Sequence, residues 1–240
     1  MLIVILNRCK KFENPFVYLH EPNNPIAIDN LIGFAALYPF CFLRHHMPYG
    51  KFKSVEEVAI KFDIEIADRV AFVSEKELIV ADILQSMMIT KLHDETSYVT
   101  EFAVCDAIIR PILDIIAANY HLKVWSHVPY NVDEEQGLVG EPDYLIAQKT
   151  KYGGMARPAL CIIEAKKDDF EEGWTQALSA MVASALLGVP LCYGIVTTGA
   201  IWQFGKLADG CFVLDPRYLS ATTELQRVFN TVNWVFYQIS

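Results

Sequence analysis

Asp143, Glu164 and Lys166 are the residues of this chain whose types and spacing could do chemistry. Asp143 sits in Gly140-Glu141-Pro142-Asp143-Tyr144-Leu145-Ile146, and the other two close Leu160-Cys161-Ile162-Ile163-Glu164-Ala165-Lys166. Both runs are short and apolar, and each is marked by a carboxylate. Side chains alternate faces along a strand, so Glu164 and Lys166 share one face, while Ala165, Ile163 and Cys161 share the other. A carboxylate and an ammonium on one face of an apolar strand need a reason, because burying unpaired charge is costly. A metal site with a basic group beside it supplies one reason. A surface Glu–Lys pair at a strand end supplies another and is worth little energetically.

The bulk composition bounds both readings. At 240 residues the chain can form one large domain or two small ones. A hydrophobic fraction of 53% against 20% charged residues is that of a packed protein, which excludes a disordered chain. The formal net charge is −9; residues 1–100 carry ten basic and thirteen acidic residues, and residues 101–240 carry ten and sixteen. Neither part has the basic balance of a simple tight DNA binder. A metal-dependent nuclease is less constrained, since bound cations offset local carboxylates. The six cysteines (Cys9, Cys41, Cys105, Cys161, Cys192 and Cys211) show no CxxC spacing, and several sit in apolar runs as buried free thiols do. The reading is a reducing, cytoplasmic setting without disulfides or structural zinc. Residues 1–6 are too short for a signal sequence, and the uncharged run from Leu31 to Leu43 is too short to span a bilayer; it reads as buried core or a partner contact.

Other elements must position the three residues. Residues 1–50 are broken by five prolines, and His45-His46 reads as a surface pair. Ser54 caps a helix to about Phe62, a small strand or hairpin follows through Val73, and Ser74 is expected to cap a helix from Glu75 to about Leu92, with Met87-Met88 as core packing. Thr100 caps a long helix from Glu101 to about Tyr120, its buried stripe made by Val104, Ile108, Ile112, Ile115 and Ile116, with a kink or tolerated bend at Pro111. Strands are expected at 124–128, 143–147 and 160–165. His127, on the first, is either a structural histidine or a polar group near the site. Residues 168–173 read as a solvated acidic loop before a small, apolar helix from Trp174 to Leu187 that carries Gln176. A buried strand at 191–197, a meander at 199–204 and 211–214, and a helix from Thr222 to about Phe236 close the chain. The fold class is α/β, a mixed sheet flanked by helices. The chain divides into an N-terminal α+β extension, residues 1–95, packed on the core or used for partner contact, and a domain over 96–240.

This combination resembles the PD-(D/E)xK, or restriction-endonuclease-like, nuclease superfamily. The residues that carry the resemblance are Pro142-Asp143, Glu164-Ala165-Lys166 and Gln176 on the following helix. The stretch from Gly140 to Phe204 is similar to the N-terminal nuclease domain of type I restriction R subunits, including a Thr-x-Gly-x-x-Trp-x-Phe-like strand here spanning Thr198 to Phe204. The chain from Val55 onward also resembles a group of cyanobacterial-type hypothetical proteins, through Thr100-Glu101, Pro111, Asn131-Val132-Asp133, Gly137-Leu138, Gly140 and Tyr193-Gly194. The likeness covers about residues 100–215.

The resemblance implies a restriction-endonuclease-like core that hydrolyses phosphodiester bonds, in DNA, with Mg²⁺ or Mn²⁺ as cofactor. Asp143 and Glu164 are hard oxygen ligands suited to Mg²⁺, and the resemblance adds the carbonyl of Ala165. Lys166 would stabilise transition-state charge or orient the attacking water. Glu101 matches an extra acid found in many members; its other reading is a helix N-terminal carboxylate favoured by the macrodipole. Gln176 would hydrogen-bond across the site, or else lie on a solvated polar face. The competing function is a catalytically inactive nuclease-like fold serving as a protein-interaction module. The expected partners are nucleic acid and no membrane, with a homodimer or protein partner through the N-terminal region.

Overall fold

In the computed structural model the described residues are Tyr49 and 52–240, which belong to a unit spanning His46–Ser240. The readings made for the proline-rich stretch, His45-His46, the apolar run 31–43, Cys9 and Cys41 lie outside them.

Among the described residues seven strands form one mixed sheet in the order β1-β7-β6-β5-β4-β3-β2. They are β1 (Glu65–Ile66), β2 (Leu122–Ser126), β3 (Tyr144–Gln148), β4 (Cys161–Ala165), β5 (Leu191–Thr197), β6 (Ile201–Ala208) and β7 (Cys211–Ser220). Neighbours are antiparallel except β4 with β5 and β1 with β7. Helices cover both faces, as an α/β arrangement requires. On one face lie α1 (Val55–Phe62) and α5 (Phe170–Leu186), over a core that includes Leu145, Ile162, Trp174, Met181 and Val196. On the other lie α2 (Asp82–Leu92), α3 (Glu101–Val104), α4 (Arg110–Ala117) and α6 (Ala221–Gln238), over Ile108, Ile112, Ile163, Ala165, Trp202 and Phe229. Central strands β3, β4 and β5 are buried on both faces, so their sequences are near-continuous apolar runs. Cys105, Cys161 and Cys192 are buried free thiols. No helix among the described residues is long and apolar enough to cross a membrane.

Capping fixes several helix starts. Ser54 Oγ accepts from the Glu57 N–H at 3.2 Å, and Thr100 Oγ1 from the Ala103 N–H at 3.0 Å. The long helix begun at Glu101 passes through a π-helical segment, Cys105–Ile109, just before Pro111. There the Arg110 N–H reaches back five residues to the Cys105 carbonyl. The interruption lies where Pro111 has no N–H to give the ladder.

Three local expectations are corrected. Residues 75–81 are not helical; α2 begins only at Asp82. This segment runs along α6, whose amide side chains satisfy its backbone. Asn233 Nδ2 donates to the Lys76 carbonyl, Gln226 Nε2 donates to the Leu78 carbonyl, and Asn230 Oδ1 accepts from the Leu78 N–H. Once those groups are paired, the helical ladder has no advantage. Of the two methionines expected in the core, Met88 is buried and Met87 is exposed. Second, residues 70–73 form no strand: the Phe72 and Val73 N–H groups both donate to Asp215 Oδ2 on β7. Third, the acidic loop is shorter than expected. Asp169 Oδ1 accepts from the Glu172 N–H at 2.9 Å and caps α5, so Phe170 to Gly173 form its first turn.

Residues 52–92 share the sheet with the rest of the described chain: β1 pairs with β7, and α1 and Trp174 of α5 lie over the same core.

Candidate active site

The β3–β4 register decides where the two carboxylates meet. Tyr144 pairs with Ile163 in antiparallel fashion, so one step further brings Asp143 opposite Glu164. A separation of 21 residues in sequence thus becomes adjacency at one end of two strands. The Ala165 N–H then donates to Asp143 Oδ2 at 2.8 Å, pinning the aspartate to the end of β4. Beyond β4, the Lys166 N–H donates to the Thr197 carbonyl at 2.9 Å, continuing the alignment with β5 and keeping Lys166 on the face of Glu164.

These residues open on a cleft of about 380 Å³ lined by Glu101, Phe102, Cys105, His127, Asp143, Glu164, Lys166, Glu172 and Gln176. All four side chains expected to act with Asp143 (Glu101, Glu164, Lys166 and Gln176) are on that lining. Ala165 is not among the lining residues: its N–H holds Asp143, and its side chain is packed in the core on the opposite face.

Glu164 is the most constrained group. It is buried, and its Oε1 has no hydrogen-bond partner among the described residues. Burial first, and then the neighbouring Asp143 charge, push its carboxyl well above the usual range, with Lys166 acting against them. Lys166 is also buried, at 8% exposure, which rules out the surface-pair reading of Glu164 and Lys166. Its stem is pressed by α5: a Cβ on Gly173 would lie 3.0 Å from Lys166 Cγ and 2.5 Å from Val196 Cγ1. Only glycine lets the first turn of α5 approach this closely.

Gln176 is buried rather than solvated. Its Nε2 donates to Glu172 Oε1 at 2.8 Å on its own helix, and its Oε1 is buried with no hydrogen-bond partner among the described residues. Glu172 Oε1 also lies 3.7 Å from Lys166 Nζ. Sequence reasoning assigned Glu172 to a solvated loop and so missed it. Its i, i+4 spacing from Gln176 was the available signal, legible only once the helix is known to start at Phe170. Glu101 Oε1 accepts from the Lys167 N–H at 3.1 Å, tying the start of α3 to the end of β4.

His127 is close to the centre. Its backbone is left-handed, at φ 49°, which ends β2, and its N–H donates to the Asp143 carbonyl at 3.1 Å. Its Nδ1 lies 3.9 Å from Asp143 Oδ1, and its ring stacks on Phe102 with centroids 6.2 Å apart. Burial, then the Asp143 charge, push the Cys105 thiol up to about 12.

Among the described residues no cluster of three or more His, Cys, Asp or Glu side chains is set to hold a metal ion. The pair Asp143 and Glu164 nonetheless suits a hard cation that keeps most of its waters and takes few carboxylates. The unpartnered Glu164 Oε1 in particular is a buried oxygen for which a cation would compensate. Comparison with protein-family models and with curated proteins returns no match.

Proposed function

We propose that the protein is a metal-dependent nuclease that hydrolyses phosphodiester bonds in DNA through the cleft at the end of β4. The observation that carries this reading is Glu164: a buried carboxylate with an unpartnered oxygen, opposite Asp143 and on the face of a buried lysine. The resemblance of Pro142-Asp143, Glu164-Ala165-Lys166 and Gln176 to the PD-(D/E)xK pattern supports the same chemistry. Asp143, Glu164 and the Ala165 carbonyl would hold Mg²⁺ or Mn²⁺. When bound, the cation polarises the phosphate and lowers the pKa of water.

The chain's own groups supply the rest. Lys166, held near Glu172, faces the negative charge that grows on the phosphate as the water oxygen bonds to phosphorus and a P–O ester bond breaks. Glu101 and His127 border the cleft and orient what enters it. Gln176 Oε1, already desolvated, accepts a hydrogen bond from whatever donor fills the cleft.

Incubating the purified chain with single- and double-stranded DNA and Mg²⁺ or Mn²⁺ tests the proposal. Cleavage is expected, lost in Asp143→Ala and reduced about 10²-fold or more in Lys166→Ala. Cleavage left unchanged by both substitutions sinks the reading. The acidic lining, four carboxylates against one lysine among the described residues, favours the alternative of an inactive nuclease-like interaction module. Calorimetric titration with Mn²⁺ separates the two: binding that disappears in Asp143→Ala contradicts the inactive module.

A further inference from the structure

The lining of the cleft contains one large apolar side chain that the chemistry does not use. Phe102 follows Glu101 in the first turn of α3 and is 70% exposed. It lies beside the carboxylates and Lys166, not on a remote surface. Its ring and the His127 imidazole form a near-parallel pair, 19° between planes. That is an offset-stacked geometry, in which one ring steadies the other. His127 is fixed in turn by its backbone hydrogen bond to Asp143. An aromatic platform is therefore held at a set place relative to the proposed hydrolytic centre.

Charge narrows what such a platform can serve. Among the described residues the lining offers one lysine against Glu101, Asp143, Glu164 and Glu172, and the whole chain is acidic. The phosphates of a duplex and of a single strand are alike disfavoured by such a lining, but a duplex offers little else, because its bases are shielded within the stack. An unpaired base has an open face and stacks on an aromatic ring whatever its identity. Resting on the nuclease reading above, we infer that Phe102 is a base-stacking residue and that the strand entering the cleft is single-stranded DNA, with one unpaired base laid on the Phe102 ring beside the scissile phosphate.

The test uses the full chain and a short single-stranded DNA carrying one 2-aminopurine, and the same sequence as a duplex. Both are titrated at fixed low salt with Ca²⁺ present, and strand integrity is checked on gels. The wild type is expected to bind the single strand more tightly than the duplex and to change the 2-aminopurine fluorescence. Phe102→Ala should weaken single-strand binding about tenfold and abolish the fluorescence change. Phe102→Trp should restore both, which separates stacking from a folding defect. The inference is overturned if Phe102→Ala binds and quenches like the wild type, if the wild type prefers duplex, or if it binds no single strand. Cleavage with Mg²⁺ and Mn²⁺ is scored separately. Cleavage that continues with Phe102-independent binding removes the stacking role and leaves the nuclease. Phe102-dependent stacking with no cleavage under either metal removes the nuclease and leaves a single-strand binding site.

Discussion

Glu164 is a carboxylate that the fold keeps at a cost. Its pKa is raised, so the folded chain holds the proton after the unfolded chain has released it. Stability therefore falls as pH rises from the ordinary carboxylate range up to the raised folded value. A neutral amide at this position escapes that penalty. Metal-free Glu164→Gln is accordingly expected to melt above the wild type at pH 7.5, by about 2–4 °C for each kcal/mol relieved. Mn²⁺ should then raise the melting temperature of the wild type and not of the variant. Differential scanning fluorimetry reads both effects; a variant that melts lower than the wild type and still responds to Mn²⁺ would contradict the assignment. Asp215 has the opposite sign. Burial acts to raise its pKa, but hydrogen bonds from the Arg217 side chain and from the Val73, Arg217 and Phe72 N–H groups outweigh it and hold the carboxyl at about 2. Its contribution, on the order of 2 kcal/mol, is present above the unfolded carboxylate pKa and disappears as pH falls toward 2. Urea unfolding should show Asp215→Asn less stable at pH 7 by about that amount, with the gap narrowing below pH 4.

At the scale of elements, the contact between α5 and the end of β4 sets the lysine. Gly173→Ala would drive a methyl into Val196 and the Lys166 stem. A loss of about 1–3 kcal/mol is expected from overpacking, together with a fall in kcat larger than any change in KM. Unaltered stability and turnover would show that the first turn of α5 has room to move. The segment before α2 depends on side chains from far along the chain. Asn233 Nδ2 donates to the Lys76 and Glu77 carbonyls, and its Oδ1 accepts from the Tyr120 hydroxyl. Asn233→Ala should cost about 1–3 kcal/mol and open residues 75–81 to limited proteolysis. The same contrast explains what was legible in the sequence. Strands β3, β4 and β5 announce themselves as apolar runs, and the helix caps at Ser54 and Thr100 as local patterns. The two catalytic candidates Asp143 and Glu164 could be paired because adjacent strands with a loop between them leave few alternatives. Residues 75–81 misled because their spacing is helical while their hydrogen-bond partners lie about 150 residues away. Glu172 was hidden in an acidic run, since a capping aspartate and a glycine inside a helix look like a loop. His127 was visible as a candidate, but Phe102 was not singled out, and their stacking goes with the left-handed turn at His127, which no local signal demands.

For the whole unit, the sheet joins sequence-distant parts in a definite order. Strands β2 to β7 are nearly consecutive in space, with α5 crossing between the parallel pair β4 and β5. The exception is β1, where Glu65 pairs with Cys211 and Ile66 with Phe212. Synthesis on a ribosome gives this pairing a clock. Glu65 emerges 146 residues before Cys211, a wait of about 7–30 s at 5–20 residues per second. Throughout that interval β1 has no β7 to join, and the backbone of residues 67–73 lacks the partners it later finds on Phe212, Leu214 and Asp215. The early part of this chain must therefore be completed by its last-made strand, and a nascent chain arrested before residue 211 exposes 65–73 to any factor that captures extended peptide.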